Sequence, residues 1–420
     1  LMITAIGIGI GASMSALTVL RALEVDPIPQ KSDQLFTVQI DNMGPNKRPP
    51  QAPQADPDEG LPRQITYRDA VALLQARRGA RQIITYIQRQ NVRPADARPF
   101  AVKTRATSSD FFAMFLAPFS AGGPWTRADD EARANVAVIG ARLAHRLFPS
   151  GDAMGKSVLV GEFQYRVIGV LAPWEPRPEF YDGGRDVFGE MEQIYVPFAT
   201  IIEHQIHSSG GLSCEGGPPA NGWQGMLDSE CQWIQFWVEL PTATDMHSFR
   251  EFLNNYASEQ RQLGRFHWPA HVALRDVRAW LVLQHIIPDE LRVSTLVGFS
   301  FLFVCLINAT GLMLAKFSSR AAEYGVRRAH GASSVDIFWQ CLVETMVVGL
   351  AGGLLGLVLT ALGLWGERSV LDPDFGNMAH LDLGAVALTL GAAVAATVCS
   401  GLFPTWRASH VQPAWQLKVQ

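Results

Sequence analysis

The sequence predicts an α+β membrane protein, with four transmembrane helices and one large α+β extracytoplasmic domain between the first and the second. Three observations predict it: four apolar runs almost free of charge, short connecting loops that differ in basic content, and a long polar stretch with strand-like alternation. The chain has 420 residues, 48% of them hydrophobic and 18% charged, which excludes disorder. A formal net charge of −4 leaves no global basic field to hold nucleic acid, so none is expected as a partner.

The first apolar run, residues 1–23, has no charge before Arg21. Residues 293–315 and 383–404 are uncharged, and 337–366 carry only Glu344. Each meets the roughly 20 residues that cross a hydrocarbon core of about 30 Å. A helix buried in a soluble core would show a polar face at helical spacing, and these runs show none. No Lys or Arg precedes the first run and residue 1 is Leu, so it reads as a membrane helix rather than a cleaved signal peptide, with the chain beginning inside a longer sequence.

Within these helices Gly7 and Gly11, and Gly352 and Gly356, form small-x-x-x-small faces, expected to pack helices closely and to support assembly of two copies. Asn308 and Glu344 fall at equal depth, about 10 Å inside one face, and are expected to pair. Cys305, Cys341 and Cys399 read as small hydrophobic residues in the membrane.

The segment 24–292 carries the outer domain. Strand-like alternation runs through 35–41, 80–89, 100–107, 136–139, 164–171 and 233–240. Thr66 with Asp69 starts one helix, expected to end at Gly79. Another is expected after Thr244, with Met246, Phe249, Phe252, Leu253 and Tyr256 on one face, ending at Gly264. Segments 43–62, 174–184 and 210–225 are rich in Pro and Gly and read as loops. Cys214 and Cys231 flank the last of these and are expected to form a disulfide in an oxidising compartment, worth roughly 3 kcal/mol for a loop of this size.

Several motifs fail on inspection. Ser150–Ser157 reads SGDAMGKS, one residue short of a phosphate-binding loop, and is taken as a turn before a strand. His204 and His207, and His267 and His271, lack the third converging ligand a metal needs, so no metal site is assigned. No Ser-His-Asp arrangement or nucleophile elbow is present, so the chain is read as non-enzymatic, with no cofactor of its own.

The loop 316–336 holds Lys316, Arg320, Arg327 and Arg328 against two acids, whereas 367–382 is acidic. The positive-inside rule makes 316–336 and the tail 405–420 cytoplasmic, and 24–292 and 367–382 outer. Within the loop, Arg320, Glu323, Arg327 and Arg328 recur at helical spacing between Gly325 and Gly331, as in a short charged helix held between two membrane helices.

The stretch RAAEYGVRRAHGAS resembles a signature of the FtsX-like and MacB-like ABC transporter permeases, through Arg320, Glu323, Gly325, Arg328, Ala329, Gly331, Ala332 and Ser333. The ending PTWRASHVQPAWQLK is similar to theirs through Pro404, Arg407, Ala408, Ser409, Val411, Pro413, Leu417 and Lys418. The run NVAVIGARLAHRLFPSGDAMGKSVLVGEFQYRVIGVL, followed by IYVPFAT, resembles a MacB-type periplasmic core.

The resemblance implies a mechanotransmitting permease in the bacterial cytoplasmic (inner) membrane. It implies that Arg320, Glu323, Gly325, Arg327, Arg328, Gly331 and Ala332 couple to an ABC ATPase partner that holds ATP and Mg. It also implies a porter-like base at about 32–110 and 232–290, with an inserted lobe at about 111–231, and a second copy or related permease as partner. A periplasmic adaptor protein is a further partner it allows. No nucleotide-binding domain lies in these residues; a separate ATPase subunit is expected, with an ATPase fused ahead of the first helix as the alternative. The alternative function is a transmembrane signalling regulator of a periplasmic enzyme, transporting nothing.

Overall fold

The computed structural model describes residues 2–23, 25–45, 58, 60–94, 98–149, 151–183, 187–215, 217, 219–286, 289–370 and 383–409. Most of the expected outer loop 367–382, and the terminal motif from Val411 to Lys418, lie outside the described residues. Two compact units emerge: Leu1–Val25 with Ile287–Gln420, and Asp26–Ile286.

The chain opens on helix α1 (Met2–Leu23). The unit Asp26–Ile286 follows with β1 (Leu35–Ile40), β2 (Ile65–Thr66), α2 (Tyr67–Ala76), β3 (Arg81–Arg93), β4 (Phe100–Thr107), α3 (Phe111–Met114), β5 (Phe119–Gly122), α4 (Arg127–Glu131) and β6 (Val136–Gly140). It continues with α5 (Ala141–Leu147), β7 (Ser157–Val160), β8 (Phe163–Leu171), β9 (Ile194–Pro197), α6 (Phe198–Glu203), α7 (Gly222–Asp228), β10 (Gln232–Glu239), α8 (Ala243–Gln262), β11 (Val272–Asp276) and α9 (Val277–Leu283).

These strands form one sheet in the order β11-β1-β10-β3-β4-β9-β6-β8-β5, with β2 added to β10 and β7 to β3 and β8. The strands of 35–107 and 232–276 are contiguous in it, as are those of 119–197, and the parallel pair β4–β9 joins the two sets. Both faces are covered. On one, Ile84, Tyr86, Phe236 and Val238 pack with Leu73 of α2 and Phe249 and Leu253 of α8. On the other, Ile83 and Trp237 pack with Phe111, Phe115, Tyr181 and Trp280. That is why every residue of β1 is buried rather than alternate ones.

Two helix ends differ from the sequence expectation. α2 stops at Arg77, in the left-handed conformation (φ 51°), before Gly79 is reached. α8 starts from Thr242, not Thr244, because Asp245 lies three residues after Thr242 and closes a capping box with it. At Gly264 (φ +79°) the chain turns away as expected.

The membrane unit adds α10 (Asp289–Ser319), α11 (Ala321–Ala329), α12 (Ser334–Val370) and α13 (Leu383–Ser409). Among the described residues, four helices are long and apolar enough to cross a membrane: α1, α10, α12 and α13. α1 packs on α10 and α12, and α13 packs on the same two, so α10 and α12 stand on opposite sides of the bundle.

Candidate coupling site

The segment from Lys316 to Asp336 is built as a helix between two breaks. α10 ends at Ser319, and α11 begins from Arg320 with no side-chain cap. Its far end is a Schellman motif: Gly331 adopts φ +101°, its N–H donates to Arg328 O at 3.1 Å, and Ala332 N–H donates to Arg327 O at 3.1 Å. Only glycine takes that φ without strain, which explains Gly331 in mechanical terms. α12 then starts from a box in which Ser333 Oγ donates to Asp336 Oδ2 at 2.6 Å and accepts from Asp336 N–H at 3.1 Å.

α11 has two faces. Ala321, Tyr324 and Gly325 are buried, at i, i+3 and i+4. Tyr324 sits in a cluster with Met313 and Phe317 of α10, Ile337 and Cys341 of α12, and Ala408 of α13. The opposite face is open: Glu323 and Val326 are exposed, and Arg327 donates to Glu323 Oε1 at 2.6 Å and to Gln340 Oε1 at 3.0 Å. Ala332 is half-buried beside the turn. Tyr324 thus belongs to one apolar cluster with residues of three membrane helices.

The expected pair of Asn308 and Glu344 is not brought together. Glu344 forms ion pairs with Lys316 Nζ and, at 3.5 Å, with Arg320 Nη1. Depth alone suggested the Asn308 contact, but α10 and α12 do not adjoin at that level. Asn308 lies one residue off the buried stripe Cys305–Ala309–Met313 and is exposed. The long Lys316 stem spans the gap that a short amide does not, and it brings a countercharge.

The two glycine faces meet each other. A Cβ on Gly352 would stand 2.8 Å from Ile6, and one on Gly356 2.7 Å from Ile10. One on Gly7 would stand 2.8 Å from Leu355, and one on Gly11 2.7 Å from Leu359. The contact lies within one chain, between α1 and α12, so these glycines pack two helices of the same copy closely together.

In the outer unit Cys214 and Cys231 are bonded to each other, with Cα atoms 4.4 Å apart. Gly151–Lys156 is a turn: Gly155 has φ +74°, and Lys156 Nζ lies 4.8 Å from the centroid of the Phe148 ring. His204 is stacked on Phe163 at 3.6 Å, its Nδ1 is 2.9 Å from Tyr165 Oη, and burial lowers its pKa. His271 Nε2 pairs with Asp58 at 2.7 Å. Among the described residues no three His, Cys, Asp or Glu side chains converge as a metal set.

Sequence reasoning missed a buried ionic cluster. Lys103 and Arg105 of β4 point at Glu179, Asp182 and Glu192, which lie on the excursion between β8 and β9. Lys103 Nζ is 2.7 Å from Glu179 Oε2, Arg105 Nη2 is 2.7 Å from Glu179 Oε1, and Arg105 Nε donates to Glu192 Oε1 at 3.0 Å. Arg105 Nη1 also donates to Thr85 Oγ1 at 3.1 Å, and Tyr181 Oη donates to Glu192 Oε2 at 3.1 Å. Burial opposes charge on Glu192, but Arg105 and Lys103 outweigh it and hold that carboxyl well below the usual range. Burial, reinforced by the charge of Glu192, pushes Glu179 well above it.

The apolar helices and the α+β unit together define a multi-span membrane protein with a large extracytoplasmic domain. Residues 1–256 match the MacB-like periplasmic core domain, and residues 295–413 match the FtsX-like permease C-terminal domain. The chain belongs to this MacB-like and FtsX-like permease family, whose members include ABC transporter permeases. It is 29% identical over 297 residues to the macrolide export ATP-binding/permease protein MacB of Azoarcus sp. strain BH72, covering 70% of this chain and 39% of that protein. It is 24% identical over 316 residues to that of Wolinella succinogenes, covering 73% and 42%. The chain thus spans about two-fifths of the length of these relatives. The crystal structure of the periplasmic region of MacB from Actinobacillus actinomycetemcomitans aligns at 11% identity with a TM-score of 0.38, over 60% of this chain and 94% of that one.

Proposed function

We propose that the chain is the permease subunit of an ABC transporter that couples ATP hydrolysis by a cytoplasmic partner to movements of the outer domain, driving export or extraction of a substrate. The observation that carries this reading is the build of α11, with a charged outer face around Glu323, Val326 and Arg327 and a buried face that grips α10, α12 and α13 through Tyr324. The basic segment 316–336 lies in the cytoplasm and Asp26–Ile286 in the periplasm, supported by the positive-inside rule. ATP and Mg are held by a cytoplasmic ABC ATPase, and two permease chains act together in the inner membrane, with or without a periplasmic adaptor. Macrolides, named for the relatives, are the first cargo to test beside peptides and lipoproteins.

The test exploits the i,i+4 pair. Glu323→Lys combined with Arg327→Glu keeps an ion pair on α11 while inverting its outer face. The double variant should insert and fold normally, yet lose ATPase recovery or lower substrate-stimulated turnover at least tenfold. Unchanged recovery with unchanged stimulated turnover would overturn the coupling role.

A further inference from the structure

A second site lies wholly within the outer unit. On the sheet face covered by α2, a cleft of about 890 Å³ opens between α2 on one side and α4, α6 and α7 on the other. That volume lies in the range of small-molecule sites. Its apolar walls are Tyr67 and Leu74 of α2, Ile84 of β3, Ile202 of α6, and Trp223 and Leu227 of α7. The polar edge of the Trp223 indole is already engaged, donating to Ile202 O at 3.0 Å, so the cleft meets its apolar part. The Tyr67 ring is held by stacking on Phe198 at 6.2 Å and Trp233 at 6.5 Å.

The rim is charged but balanced. Arg77 faces Glu131 at 3.7 Å, Arg127 faces Asp110 at 4.0 Å, and Arg133 faces Glu203 at 3.6 Å. Such a rim draws in neither anions nor cations. Beneath it lies Gln82, only 5% exposed, whose amide Nε2 is buried without a hydrogen-bond partner. A buried donor without an acceptor is uncommon, and here it borders an open cleft in which the apolar walls named above alternate with polar and charged groups.

We propose that this cleft binds a small uncharged amphiphile, with its apolar, ring-bearing body against Tyr67, Leu74 and Trp223 and a carbonyl oxygen accepting from Gln82 Nε2. The cleft lies between the strand set of 35–107 and 232–276 and the helices of the other set, so an occupant contacts both. The proposal concerns Asp26–Ile286 alone and needs no ATPase, so its failure leaves the coupling reading standing.

The probe is 4-(hydroxymethyl)benzophenone, which has two rings and one ketone and attaches to nearby C–H bonds on irradiation. The full chain in lipid nanodiscs is photolabelled without any ATPase and the labelled peptides are mapped. Saturable labelling is expected in peptides containing Leu74 or the stretch from Ile202 to Leu227. Gln82→Leu, which keeps the volume and removes the donor, should lower cleft labelling at least fivefold. Ala199→Trp and, independently, Leu74→Trp should fill the cleft and lower it at least tenfold, with the charged 4-benzoylbenzoate labelling poorly throughout. Labelling confined to the membrane helices, or cleft labelling that Gln82→Leu and both filling variants leave unchanged, would overturn the proposal.

Discussion

Around Arg105 the outer unit gathers five charged side chains against one face of its sheet, whereas between α1 and α12 the membrane unit brings together four glycines. Both contacts lock together segments remote in sequence. The difference follows from the unfolded reference. In water, apolar burial already drives the outer unit together, and a buried ionic cluster adds a large desolvation cost that only good geometry offsets; its effect is to fix which loop sits on which strand. In a bilayer, lipid tails solvate Leu as well as a neighbouring helix does, so apolar burial contributes little and close backbone approach must supply the contact.

The sharpest way to break the comparison is Arg105→Leu. It would leave Glu192 buried without its main countercharge and should lower the stability of the chain by about 3–5 kcal/mol, read by thermal denaturation. Glu179 should behave oppositely. Its folded pKa is raised, so its contribution is fully present below the ordinary carboxylate range and is lost as pH rises toward the folded value. Glu179→Gln should therefore cost little near pH 5 and flatten the fall in stability between there and pH 8. A variant as pH-dependent as the native chain would refute the raised pKa of Glu179.

Next in size is the glycine contact. Gly356→Leu would drive a side chain into Ile10 and should cost about 1–3 kcal/mol, while Gly391→Leu, with nothing within 4 Å of its Cβ position, should cost little. Equal melting temperatures for the two variants would mean that α1 and α12 do not pack as described.

The smallest effect concerns Glu344. A double-mutant cycle with Lys316→Ala should show coupling of about 0.2–1 kcal/mol, typical of part-exposed pairs. The same cycle with Asn308→Ala should be additive within about 0.5 kcal/mol. The reverse pattern would restore the contact that depth alone implied.

These cases also mark what was legible. The four membrane helices were plain in runs almost free of charge, and the Thr66–Asp69 start of α2 was plain because a cap is local chemistry. The end of α2 was not, since Arg77 takes a left-handed conformation with no glycine to announce it. Lys103 and Arg105 look like the outward residues of an alternating strand, and Glu179, Asp182 and Glu192 like a solvated loop. Their meeting depends on a fold-over across as many as 87 residues that no local pattern records. Gly7, Gly11, Gly352 and Gly356 were visible as small faces, but which faces pair is decided by the bundle. Equal depth placed Asn308 and Glu344 at one level without saying that their helices stand on opposite sides.

The α1–α12 contact also sets a timetable for biosynthesis. The groove that receives Gly7 and Gly11 belongs to a helix that begins only at Ser334. At about 5–20 residues per second, a ribosome needs on the order of 15–60 s to travel from one helix to the other. During that interval α1 has been made while the helix that packs on Gly7 and Gly11 does not yet exist, and the whole outer unit must be synthesised in between. The glycine face of α1 is thus a late-closing seam, which closes only when the third membrane helix arrives.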